Sequence, residues 1–205
     1  MKNKGLLIGC GVLGVIALIA IIILMWGVGI YNNLVTQNEN VTQSWSQVEN
    51  LYQRRLDLIP NLVATVKGVA EFEKETFTAV TEARAGATSM KLTPEMLNDP
   101  QAVAKFQAMQ DNLSSALSRL LVTVENYPQL KANENFLQLQ SQLEGTENRI
   151  SVERMKFNQS VQTYNTTIKR FPTNIIAGMM GFGEKYYFKA AAGSDKAPQV
   201  NFDFK

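Results

Sequence analysis

Apolar positions follow three rhythms along this chain, and each predicts a different element. From Leu6 to Ile30 the run LLIGCGVLGVIALIAIIILMWGVGI holds 25 residues with neither a charge nor a side-chain amide. About 20 such residues suffice for a helix to cross a bilayer, so a transmembrane span is expected here. A cleaved signal peptide has an apolar stretch of about 7 to 15 residues ahead of a small-residue cleavage site. This run is too long for that, and no Ala-x-Ala follows it. The tetrapeptide Leu7-Ile8-Gly9-Cys10 bears only a superficial likeness to an acylated lipoprotein cysteine. Leu6, Ile16 and Ile22 are expected to anchor the chain in lipid, and Trp26 and Tyr31 suit the headgroup region, where amphipathic rings settle. Gly5 and Gly9 form a GxxxG pair, extended by Gly11 and Gly14, on which a second helix can approach closely.

Beyond the span the rhythm changes to steps of three, four and seven. Val41, Trp45, Val48, Tyr52, Ile59, Val63, Val66 and Ala70 make one narrow seam of a long bundle helix. This helix is expected to run to about Arg84. No breaker separates it from Ile30, so span and helix read as one rod of roughly 80 residues and about 120 Å at 1.5 Å per residue, kinked at Pro60. Thr93-Pro94 and Asp99-Pro100 each place an N-cap oxygen before a proline at the first helical position, where its missing N–H costs nothing. The first predicts a short turn. The second opens a helix through Val103, Phe106, Leu113, Leu117, Leu120 and Val124, ended at Tyr127-Pro128. A third helix of about 35 residues carries Phe136, Leu139, Leu143, Thr146, Ile150, Phe157, Val161, Tyr164 and Ile168 in a near-heptad seam, stopped by Phe171-Pro172.

From Thr173 the pattern is denser and less regular. Ile175, Ile176, Met179, Met180 and Phe182 crowd into a glycine-rich stretch followed by Tyr186, Tyr187 and Phe188. Asn174 is placed to cap a short fourth helix. Two readings stand side by side: this region closes the end of the bundle, or it presents a Met- and aromatic-rich patch to a partner or the bilayer surface. The final APQVNFDFK reads as an extended tail. Between Tyr31 and Asn174 glycine occurs only at positions 68, 86 and 145, and strand-like alternation is missing. The fold expected is therefore all-α: an N-terminal transmembrane helix continuing into a long antiparallel bundle of three long helices plus a short C-terminal one, since no stripe can be buried alone. The limits are a tail at 1–5, a span at 6–30, a bundle at 31–190 and a tail at 191–205.

Composition narrows the chemistry. The 205 residues include no histidine, which removes His-dependent triads, zinc hydrolase centres and histidine phosphotransfer. The lone Cys10 lies inside the apolar run, so neither an internal disulfide nor a Cys-rich metal site is available. The chain has 20 basic and 18 acidic residues; the 175 residues after Ile30 carry 18 of each. A body of zero net charge has no field to gather nucleic acid. No GxxxxGK[ST], GxSxG or CxxC occurs, nor a GxGxxG following a strand. Glu144, Glu147 and Glu153 lack the Glu-x-x-His pairs of a di-metal bundle. Asn-x-Ser/Thr triplets at Asn40, Asn112, Asn158 and Asn165 fall in predicted helices and read as chance. Glu71, Glu73, Lys74 and Glu75 read as a solvated helix face. No catalytic residue, cofactor, metal or small-molecule substrate is expected.

The densest polar motif is QRRLDLIPN. A proline at position 60 of a helix deprives the Leu56 carbonyl of its donor, so Arg54, Arg55, Asp57 and Asn61 gather around exposed backbone at Pro60. Such a cluster can receive a peptide or a partner's acidic helix. The blander reading pairs Arg54 with Asp57 one turn on, worth a few tenths of a kcal/mol. For sidedness, Lys2 and Lys4 precede the span and the next basic residue is Arg54, so the positive-inside bias puts the short N-terminus in the cytoplasm and the body on the other side of the membrane.

Several of these stretches coincide with a known family. Tyr31-Asn32-Asn33-Leu34-Val35, Trp45-Ser46-Gln47-Val48-Glu49, YQRRLDLIPNLVATVKG from Tyr52 to Gly68 and Ala83-Arg84-Ala85 resemble the N-terminal half of the bacterial LemA family. ENYPQLKANENFLQLQSQLEGTENRIS, Tyr164-Asn165, FPTNIIAGMMGFGEKYYF and APQVNF resemble its second half, so the resemblance spans essentially the whole chain. Where family members often carry a histidine after VKG, this chain has Phe72. The resemblance implies a single-span membrane protein with a long helical bundle and no assigned catalytic site. It also implies a setting near membrane metalloproteases or in bacterial membrane remodelling, and a short N-terminus outside the cell, opposite to the charge argument. The function expected is a non-enzymatic scaffold or adaptor whose partners are the lipid bilayer and either another protein or further copies of itself. The alternative is a regulatory or substrate-presenting partner of a membrane protease.

Overall fold

The structure, a computed structural model, describes residues 3–68 and 74–189, with side chains from Gly11 onward. Helix α1 (Asn3–Lys67) is a single element of 65 residues, about 97 Å long at 1.5 Å per residue. Span and bundle helix are indeed one rod, but a shorter one than the rod of roughly 80 residues expected from the sequence. The chain leaves the helix at Gly68, the residue type that most often follows a helix end. Lys74–Thr88 then forms its own helix, α2. Arg84 of α2 lies back beside Leu56 of α1, so the two run antiparallel. The expected extension to Arg84 fails because Val80, Ala83 and Ala87 bury themselves in the bundle rather than prolonging the rod. Ala70, Glu71, Phe72 and Glu73 lie outside the described residues, as does the tail at 191–205.

The second seam forms α3 (Pro100–Val124), with Asp99 accepting from the Gln101 amide at 2.8 Å, as the Asp-Pro signal predicts. The Thr93-Pro94 signal yields a 3-10 turn, Glu95–Asn98. Pro128–Lys131 makes a one-turn helix, α4, and α5 (Glu134–Lys169) runs 36 residues from an Asn133 cap that accepts from the Phe136 amide at 3.1 Å. Helix α6 (Thr173–Met180) begins after Pro172, and the Asn174 amide donates to the Arg170 carbonyl. Asn174 therefore sits inside the helix rather than capping it. Beyond Gly181, residues 182–189 form no regular element and lie against α3 and α5.

Contacts between α1 and α5 run in opposite directions: Trp45 meets Phe157, Ser44 meets Ser160, and Arg55 meets Glu147. Helix α3 lies parallel to α1, with Phe106 against Trp45 and Tyr52. The core has two parts. A span-proximal aromatic part gathers Trp45, Tyr52, Phe106, Phe157, Tyr164 and Phe188. A distal aliphatic part holds Ile59, Leu62, Val66, Leu113, Leu120 and Phe136. Every seam residue with a described side chain is buried except Val63 and Leu139, which are half-buried.

Candidate membrane-proximal site

Each patch named from the sequence takes a definite place. Residues from Gly11 to Trp26 are exposed on every side of α1. A helix apolar all round with no protein against it is built for lipid. Ile16 and Ile22 are 56% and 57% exposed, whereas Leu6 is helical with its side chain outside the described set. Trp26 and Tyr31 lie where the rod meets the bundle. Only four residues past Ile30, Leu34 is already fully buried, so the body starts directly at the foot of the span.

Helix α6 stands at that foot. Ala177 is buried against the bundle, and Ile176 reaches Gly27 of the span, its Cδ1 3.9 Å from where a Cβ would stand. Phe182 meets Tyr31 edge to face at 5.9 Å. Gly181, at φ 76°, makes the left-handed turn that lets the Phe182 amide donate to the Ala177 carbonyl at 2.9 Å. A side chain at 181 would strain that turn. The five apolar residues singled out here therefore divide: Ile176 and Phe182 are half-buried against the rod, while Ile175, Met179 and Met180 are exposed. Phe171, just before α6, is exposed as well, at 81%.

The Pro60 cluster does not assemble as expected. α1 continues through Pro60, and the orphaned Leu56 carbonyl is satisfied by Arg84 of α2, whose Nε donates to it at 3.1 Å. Asp57 accepts from Gln53 Nε2 at 2.8 Å rather than pairing with Arg54, which is exposed, as are Pro60 and Asn61. Arg55 points the other way. At 1% exposure it donates to Glu147 (2.8 Å), Ser114 (2.7 Å) and Gln110 Oε1 (2.5 Å), tying α1 to α3 and α5 between the two core parts. A cationic side chain inside a bundle must be compensated in this way. Arg55 is thus an internal tie, not a docking residue. Glu147 is held by it, and Glu153 pairs with Lys156 at 2.7 Å.

Three side-chain amides grip the segment after α6 at two points each. Asn165 binds the Lys185 carbonyl and amide (2.7 and 3.0 Å), Asn158 those of Phe188 (2.8 and 2.9 Å), and Gln107 those of Lys189 (2.8 and 3.0 Å). The signal was present as amides at 158 and 165, seven apart on the apolar seam of α5. Lys185 is drawn in with this strap. Burial lowers its pKa, and its ammonium donates to Asn98 Oδ1 at 3.2 Å. Burial likewise raises the Tyr164 phenol and pushes Tyr52 up to about 12. At the surface, Glu184 accepts from Lys169 and raises that lysine's pKa. Among the described residues no group of three carboxylates or thiols is placed to hold a metal.

A lipid-facing helix that becomes the central stave of a polar-surfaced bundle defines a single-pass membrane protein of helical-bundle type. The LemA family matches residues 44–202, and the chain belongs to it. It is 28% identical over 200 residues to magnetosome protein MamQ 2 of Paramagnetospirillum magneticum, covering 90% of this chain and 72% of that protein. Against magnetosome protein MamQ of Magnetospirillum gryphiswaldense it is 27% identical over 214 residues, covering 95% of this chain and 77% of that protein. Protein LemA of Metamycoplasma hominis is 23% identical over 164 residues, covering 80% of this chain and 71% of that protein. None of these names is that of an enzyme.

Proposed function

We propose that this protein is a non-enzymatic scaffold of a bacterial cytoplasmic membrane, holding a protein partner or further copies of itself at a set height and orientation above the bilayer. The observation that carries the reading is the unbroken α1, in which the lipid-exposed stretch and the buried seam share one rigid element. A tether needs only a flexible link; a rod rooted in the core transmits position. The relatives named as magnetosome proteins support a role in membrane organisation. Lys2 and Lys4, with no further basic residue before Arg54, favour a body on the extracytoplasmic side.

The test is crosslinking of the full chain in native membranes, with and without a short Gly-Ser insertion after Asn32. The reading expects a discrete adduct that the insertion weakens. A strictly monomeric protein that captures nothing overturns it.

A further inference from the structure

We propose that α6 and the preceding Phe171 lie in the bilayer interface as an apolar wedge that seats the bundle on the lipid at the foot of the span. This rests on the single span but not on the scaffold role. From Phe171 to Gly183 the chain carries no charge. Its exposed apolar residues are Phe171, Ile175, Met179 and Met180, at 81%, 54%, 78% and 57%. Single exposed apolar residues are ordinary on a protein surface, but four large ones on eight helical residues and their flank mark a surface that is covered.

The depth of this face identifies the cover. A 25-residue apolar run is about 37 Å of helix against about 30 Å of hydrocarbon, so it overhangs by a few ångströms at each end. Gly27 is three residues, or about 4.5 Å, inside the end of the run. Ile176 packs on Gly27 and Phe182 on Tyr31, which places α6 at the boundary between headgroups and acyl chains. Interfacial helices bury an apolar face about 5 to 10 Å deep at this level. Ala177 is buried in the bundle and Ile176 lies against Gly27 of the span, so the exposed residues of α6 adjoin the lipid-facing stretch of α1. Exposed Arg170 flanks the wedge on a stem long enough to reach phosphate, while its neighbour Lys169 is held by Glu184. A protein occupant would have to enter the headgroup layer to reach this face.

The experiment uses the full chain with Cys10→Ser, reconstituted sparsely in phosphatidylcholine–phosphatidylglycerol vesicles. A single cysteine at Met179→Cys carries a polarity-sensitive fluorophore, and the vesicles contain lipids brominated at shallow or deep acyl positions. Met155→Cys is the control, exposed on α5 between its Ser44 and Arg55 contacts. The probe at 179 is expected to shift to the blue and lose most of its emission to shallow bromines, less to deep ones, with no change at 155. Equal responses at the two sites, or none at 179, overturn the proposal. So does a 179 probe that bromine leaves untouched but that crosslinks to a neighbouring copy, because the face is then a protein interface. Ile175→Cys repeats the measurement independently, with helix content checked by circular dichroism. Failure of the wedge leaves the crosslinking test of the scaffold role unaffected.

Discussion

The two adjacent arginines of the Pro60 motif are opposite in consequence. Arg54 is exposed, whereas Arg55 is buried among Glu147, Ser114 and Gln110. Removing one partner of a buried ionic network leaves polar groups stranded. Arg55→Ala is expected to cost about 3 kcal/mol or more, because Gln110 loses its partner in a closed interior. Arg54→Ala is expected to stay within about 0.5 kcal/mol. Thermal unfolding of the detergent-solubilised protein separates the two, and a matched loss at both positions contradicts this account. Glu147→Gln strips the carboxylate that compensates the buried Arg55 cation, so it too is expected to destabilise. Tyr52 gives the converse case. Its hydroxyl is buried with no hydrogen-bond partner among the described residues, and burial holds its pKa near 12. A polar atom that gains no bond contributes nothing to offset its desolvation. Tyr52→Phe should therefore leave the unfolding midpoint level or raise it, and a drop of several degrees would show that the hydroxyl is bonded.

Between elements, the tie that matters most at the proline is the one α2 makes to α1. Pro60 removes the N–H that would serve the Leu56 carbonyl, and Arg84 supplies a replacement from across the hairpin. Arg84→Ala is expected to destabilise by about 1 to 2 kcal/mol. In a Pro60→Ala background the restored backbone donor competes for the same carbonyl, so the loss should shrink and a double-mutant cycle should show coupling of about 1 kcal/mol. Additive effects would mean that Arg84 acts elsewhere. This pair also marks the limit of the sequence reading. Seam spacing revealed α3 and α5, and the Asp99-Pro100 signal located a boundary, because periodic burial and capping are local. The orphaned carbonyl was legible as well, but not its donor, since Arg84 is 28 positions away along a chain that first has to turn. The continuation of α1 to Arg84 failed for the same reason: Val80, Ala83 and Ala87 fit a helical stripe whether the helix goes on or folds back. The amide grip on 185–189 escaped because the spacing of Asn158 and Asn165 along α5 does not say which distant segment they bind. At the membrane-proximal site, sequence supplied the composition of α6 but not which of its residues face the rod.

For the whole molecule, charge and shape make separate demands. With no histidine in the chain, nothing with an ordinary pKa near neutrality changes charge in the bundle, so stability is expected to be level between about pH 6 and 8. Above that range Lys185 enters. Its pKa is lowered in the folded state, so the folded protein binds fewer protons than the unfolded chain and stability rises as pH climbs toward the ordinary lysine value. Tyr52 then opposes it. An unfolded tyrosine ionises near 10 while the buried one holds its proton to about 12, so stability falls through that interval. Lys185→Met should remove the rise and leave the fall; denaturant titrations across the alkaline range read both limbs. Shape is set by α1. Ala64, exposed near the far end of the rod, lies 34 residues beyond Ile30 and so about 51 Å along the axis, whereas Glu39 lies only about 13 Å along it. A tilt of about 20°, common for spans, shortens either height by only about 6%. If α1 carries the body as one rigid piece, a donor at Ala64→Cys should transfer energy only weakly to acceptors in the headgroup plane and a donor at Glu39→Cys strongly. A joint at the foot of the span would let the bundle lie down, and the two sites would then transfer alike. The measurement thus tests the inference from helical continuity to a fixed reach above the membrane, which no alteration of surface charge in the bundle should disturb.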